Sequence, residues 1–129
     1  MKKLFYSLVA CFCAIFLMSA VKDEIMSKVN GTYIVNTTKL ASNVKGYKGP
    51  TPLKIYIKNN KIQKIEALQN SETPTYFNKV KSQLLNKWNG MSVKKVATTN
   101  IDGVTGATLS SNAVKENVKR GADYYLKHK

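Results

Sequence analysis

Between residues 53 and 65 the chain alternates in a way that only one kind of backbone explains. Leu53, Ile55 and Ile57 are separated by Lys54, Tyr56 and Lys58, the two-residue period of a strand with one buried face. Asn59 and Asn60 then supply a turn, and Ile62 and Ile65 carry the apolar face into a return strand. Their three-residue spacing breaks the alternation and predicts a bulge or bend there. Upstream, Asn30-Gly31 reads as a turn ahead of the β-branched run Thr32 to Val35, the predicted first strand. "LASNVKGYKGPTP" (residues 40–52) reads as a loop.

Downstream the period changes. Tyr76, Phe77, Val80, Leu84 and Trp88 fall at helical spacing, with Thr73-Pro74 as a start signal and Asn89-Gly90 as a stop. Phe77 and Trp88 are assigned to the core on that spacing. "MSVKKVATTNI" (residues 91–101) is predicted to be a strand. A last helix, from about Ser110 to Leu126, carries the stripe Val114, Val118, Ala122 and Tyr125. The order strand, hairpin, helix, strand, helix predicts an α+β fold, a small antiparallel sheet with two packed helices.

The first residues belong to another class. "MKKLFYSLVACFCAIFLMSAVKDE" has two lysines, an uncharged run from Leu4 to Val21, then Lys22. A basic start followed by an apolar segment is the pattern of a bacterial secretory signal. Residues 1–21 are therefore predicted to be a signal peptide or an N-terminal membrane anchor helix, and residues 22–129 the exported domain. Ala20 suits a cleavage site but Met18 does not, and the apolar run is near the shortest that spans a bilayer. "LVAC" also looks like a lipoprotein box with Cys11 as lipid carrier, although the apolar run before it is short. The expected location is outside the inner membrane, anchored or periplasmic.

Composition narrows the chemistry. With 129 residues, 43% of them hydrophobic, one domain can build a core. Lys and Arg number 21 against 7 Asp and Glu, a net charge of +14. That field favours anionic partners, or serves solubility, since the lysines are scattered through every segment. Export makes nucleic acid an unfitting partner. Cys11 and Cys13, the only cysteines, lie in the N-terminal segment, and the only histidine is His128. Thiolate, zinc and Ser-His-Asp chemistry are thereby excluded from the domain, so any redox work there needs a cofactor.

One stretch stands out as small and hydroxyl-rich: "IDGVTGATLSS", residues 101–111. Read locally, Asp102-Gly103 makes a turn and Thr108, Ser110 or Ser111 caps the last helix. The same residues also describe an anion site. Unpaired N–H groups at a helix start, bare Gly106 and Ala107, and neighbouring hydroxyls suit a phosphate.

"DGVTGATLSS" resembles the flavinylation motif of the FMN-binding domain family, an Asp, two residues, Ser or Thr, then Gly-Ala-Thr. Domains of this family occur within the Na⁺-translocating NADH:quinone reductase, within the related ion-pumping ferredoxin:NAD reductases, and as small exported flavoproteins. "GYKGP" (residues 46–50) and "SETP" (residues 71–74) are similar to two further family stretches in the same order. The chain departs from the larger members after "SETP", where Thr75, Tyr76 and Phe77 replace Gly-Leu-Gly.

The resemblance implies FMN as cofactor, joined through a phosphoester to Thr108, with Asp102, Thr105, Gly106 and Ala107 filling the other motif positions. Gly103, Ser110, Ser111, Glu72, Thr73 and Tyr47 are further candidate cofactor-binding residues, and Tyr47 and Tyr76 candidates to stack on the flavin ring. It implies a redox carrier in preference to an enzyme with its own substrate. Its partners would be a flavin transferase that installs FMN from FAD and a membrane or periplasmic redox partner. Two alternatives are kept: a sensor or storage module that binds FMN without a covalent bond, and a basic membrane-surface protein without flavin.

Overall fold

The computed structural model describes residues 25–129; the predicted signal or anchor segment lies outside the described residues. Four antiparallel strands form one sheet in the order β1-β2-β3-β4 (Met26–Val29, Thr32–Asn36, Leu53–Lys58, Lys61–Ala67). Both hairpins close on asparagine. Asn30 and Gly31 take φ of 50° and 81°, and Asn59 and Asn60 take 54° and 61°. Positive φ at both central residues gives a turn whose twist matches that of the strands it joins. The Asn30-Gly31 turn therefore implies a strand on each side, and β1, which the apolar pattern does not announce, is the strand before it.

The expected bulge lies in β4. Tyr56 pairs with Lys64 but Ile57 with Ile62, which leaves Gln63 as the extra residue. That insertion returns Ile62 and Ile65 to the same face despite their odd spacing.

Three helices follow: α1 (Pro74–Gln83), α2 (Val93–Val96) and α3 (Thr108–His128). The single helix expected up to Asn89 is divided, because Leu85–Trp88 tightens into a 3₁₀ turn that buries both Leu85 and Trp88. The expected strand in residues 91–101 is corrected to the short helix α2. Its only strand-like feature is the bridge from Ser92 to Lys61. Val93 and Val96, three residues apart, both point inward while Lys94 and Lys95 stay exposed, which is a helical spacing and not a strand one. The observed order is thus four strands followed by helices, still α+β.

All the helices cover one face of the sheet. Val35, Leu53, Ile55, Ile57 and Ile62 are fully buried against Val114 and Val118 of α3, Phe77 and Val80 of α1, and Val93 and Val96 of α2. Among the described residues, every buried core residue lies between Val35 and Tyr125. Two features fix α3 on the sheet. A Cβ on Gly121 would run into Ile55 Cδ1 and Thr37, so only glycine allows this close approach. Asn117, buried within the apolar stripe, accepts the Thr37 hydroxyl proton and donates to Ala113 O at 2.8 Å and Thr51 Oγ1 at 3.4 Å. A buried amide so satisfied sets the position of the helix along the strands.

Candidate functional site at the start of the last helix

The local sequence leaves α3 open at its N-terminus. Gly106 turns the chain with φ of 85°, and Ala107 becomes the N-cap with no side-chain cap. The expected cap by Thr108, Ser110 or Ser111 is therefore corrected. The first helical bond runs from Ser111 N–H to Ala107 O at 2.9 Å, so the N–H groups of Thr108, Leu109 and Ser110 precede the intrahelical ladder.

The serines are engaged elsewhere. Ser111 is fully buried and its Oγ accepts the Val104 N–H at 3.0 Å, which pins the loop 102–107 back onto the helix. Gly103 makes that approach possible, since a Cβ there would sit 3.0 Å from Ser111 Cβ. The Ser110 hydroxyl donates to Glu72 Oε1 at 2.6 Å.

Glu72 is the brace of the region. It is only 6% exposed, and its carboxylate also accepts the N–H groups of Tyr47 at 2.8 Å and Lys48 at 2.5 Å. One carboxylate thus ties together the loop at 46–49, the turn before α1 and the first turn of α3. Charge-assisted bonds of this kind are roughly twice as strong as neutral ones. Gly46 is the residue that admits it: a Cβ there would overlap Glu72 Oε1 and lie 3.2 Å from Ser110 Cα.

Above this brace opens a cleft of about 420 Å³. Tyr47 and Tyr76 line it from a loop and from α1, with Thr73 between them; Gly106, Ala107, Thr108, Leu109 and Ser110 form the helix-start wall. Tyr47, Tyr76 and Leu109 account for three of the four large hydrophobic side chains that stand exposed among the described residues. Their clustering round one cleft leaves a contiguous apolar and aromatic surface open to solvent there. The volume lies within the roughly 300–1,000 Å³ of ordinary ligand pockets.

Not all candidate residues meet there. Thr108 is exposed and lines the cleft, whereas Thr105 is exposed outside it. Asp102 is exposed, and its backbone carbonyl accepts the Lys87 ammonium at 3.2 Å. Glu72 lies beneath the cleft as its support, not on its wall. Phe77 and Trp88 are core, at 4% and 2% exposure. Two residues escaped sequence reasoning: Leu109, which is off the apolar stripe and whose exposure was the missing signal, and Asn117, a polar residue three positions after Val114 within that stripe.

The family model of the FMN-binding domain matches residues 46–123. The match begins at Gly46, includes Glu72 and Thr73, and extends through most of α3, so every wall of the cleft falls inside it. Comparison with curated proteins and with solved structures finds no match.

Proposed function

The chain therefore belongs to the FMN-binding domain family and binds FMN, and from that premise we propose that it is an exported electron carrier whose FMN is esterified to Thr108. The observation that carries this reading is the state of four neighbouring hydroxyls. Ser110 and Ser111 are buried and hydrogen-bonded, Thr105 lies outside the cleft, and Thr108 alone is both exposed and on the cleft wall.

The chain's groups suit the parts of the cofactor. The N–H groups of Thr108, Leu109 and Ser110, which precede the intrahelical ladder, would hold the phosphate in place of the missing cap. Tyr47 and Tyr76 offer flat faces to a ring, and Leu109 shields it from water. Bound FMN supplies one- and two-electron chemistry. Among the described residues the cleft wall bears no carboxylate, lysine or histidine, which supports a carrier over an enzyme that transforms a substrate.

Attachment proceeds on a separate flavin transferase with FAD as donor. Thr108 Oγ would be the nucleophile toward the flavin-side phosphorus of FAD, with AMP as the leaving group taking the bonding pair of the broken P–O bond and the hydroxyl proton going to a base of the transferase. The basic, apolar start of the chain supports export, with the carrier anchored or periplasmic and serving a redox partner there.

The test is intact mass after co-expression of the exported chain with a flavin transferase. The expected product carries FMN less one water, mapped to Thr108 by peptide mass spectrometry, and Thr108→Ala lacks it. Asp102→Ala should lower the extent of modification without removing the acceptor. Colour lost on denaturation would favour the non-covalent sensor or storage reading, and a chain that never acquires flavin would end the carrier reading.

A further inference from the structure

With the helices on one side, none of the described helices covers the other face of the sheet, and strand register fixes what that face presents. Lys54, Tyr56 and Lys58 of β3 alternate outward with the buried Leu53, Ile55 and Ile57. Beside them on β4 stand Lys61, paired with Lys58, and Lys64, paired with Tyr56. On the other flank Ile34 pairs with Tyr56, and Val29, 53% exposed, lies on β1, the outermost described strand. Among the described residues Glu66 is the one carboxylate on this face; it takes Lys64 in an ion pair at 2.9 Å and accepts the Tyr56 hydroxyl at 3.0 Å. Lys54, Lys58 and Lys61 have no ion-pair partner among the described residues.

We propose that this outward sheet face rests on an anionic phospholipid surface, with Lys54, Lys58, Lys61 and Lys64 at the phosphates and Val29 and Ile34 at the headgroup boundary. Four lysines against one glutamate give the face the sign that acidic headgroups attract. Lysine stems lie along apolar neighbours while their ammonium groups reach outward, so the mixed Lys, Val and Ile pattern suits a boundary between apolar and charged phases. A second copy of the same face is disfavoured by like charge. Single-stranded nucleic acid fits less well, because Tyr56 is the only aromatic ring that β3 and β4 carry there and stacking surfaces need several. The helix surface is also lysine-rich, but two of its acidic residues neutralise neighbours, Glu116 with Arg120 and Asp123 with Lys127. That surface also holds the cleft. Docking by the sheet therefore leaves the cleft turned away from the bilayer and open to a transferase or redox partner.

The experiment uses the chain from Lys22 onward, which retains every described core residue and omits the apolar segment Leu4 to Val21, so that any binding read out is that of the folded part. Co-sedimentation is measured with vesicles of phosphatidylglycerol and phosphatidylcholine, and with phosphatidylcholine alone. Binding is expected only to the acidic vesicles and should weaken as salt is raised. The triple variant Lys54→Gln/Lys58→Gln/Lys61→Gln should lose at least about tenfold in affinity. The equal-charge variant Lys79→Gln/Lys94→Gln/Lys119→Gln on the helix side should keep it. Equal loss in both variants, equal binding to neutral vesicles, or tighter binding to a single-stranded oligonucleotide than to acidic vesicles would overturn the proposal. Each readout is independent of flavin.

Discussion

The two ends of α3 are built for opposite purposes. At its C-terminal end Tyr125 is 2% exposed, its hydroxyl donates to Asn60 Oδ1 at 2.7 Å, and Tyr33 meets its ring edge-on at 5.1 Å. The Lys129 ammonium reaches the same Asn60 oxygen at 3.0 Å, and the Lys127–Asp123 pair closes the last turn. At the N-terminal end no side chain caps the helix, and Thr108 and Leu109 face a cleft. Polar groups are satisfied where the helix is latched and left open where a ligand is expected. A helix held firmly at one end tolerates an unfinished other end.

That contrast is open to attack by substitution. Tyr125→Ala should cost about 3–5 kcal/mol in chemical denaturation, the range for emptying a buried aromatic site. Thr108→Ala should stay within about 0.5 kcal/mol, because its hydroxyl caps nothing. Similar losses for both would erase the distinction between the ends.

Glu72→Gln sharpens it, because it removes the charge beneath the open end. Three hydrogen bonds to a carboxylate become bonds to an amide that also brings an unwanted donor, with a cost of about 1.5–3 kcal/mol. Amide hydrogen exchange should accelerate at Tyr47 and Lys48 more than in the sheet. Exchange that rises uniformly would make Glu72 a general stabiliser and not a local brace.

The smallest expected effect is a pH dependence at the latched end. Burial, and then the neighbouring Tyr33, hold the Tyr125 phenol above its ordinary value of 10.0. A raised folded value means the contribution is whole below the unfolded tyrosine value and is lost as pH rises through the folded one. Tyr125→Phe should therefore flatten the alkaline limb of the stability profile, followed by thermal melts above pH 10. An unchanged limb would assign it to other tyrosines or lysines.

Sequence reasoning reached the parts of the molecule whose signals are local. The β3–β4 hairpin, its bulge and the stripe of α3 were readable because alternation, turn residues and helical spacing all act over a few positions. β1 was missed because Met26–Val29 has no apolar alternation and exists through its pairing with β2. Residues 91–101 were misread because β-branched valines suggested a strand, while the spacing of Val93 and Val96 carried the helix. For the cleft, motif order named Thr108, Thr73 and Tyr47. The role of Glu72 was beyond reach, because it depends on Tyr47, Lys48 and Ser110, between 24 and 38 residues away. Ser110 and Ser111 looked like ligands or caps, since burial cannot be read from a hydroxyl's place in a motif.

Asn117 has a consequence that belongs to time. Its bond with Thr37 joins residues 80 positions apart, and its contact with Thr51 spans 66. Contacts so distant along the chain are slow to form, because a long loop must close before any of them contributes. β2 and β3 are made early in synthesis, yet the helix that completes their core comes last. Until α3 docks, the part of the sheet face that Val114 and Val118 cover stays incomplete, and apolar surface left open in that way is prone to aggregation. The segment that carries Thr108, the proposed flavin acceptor, is thus also the one whose docking completes the described core.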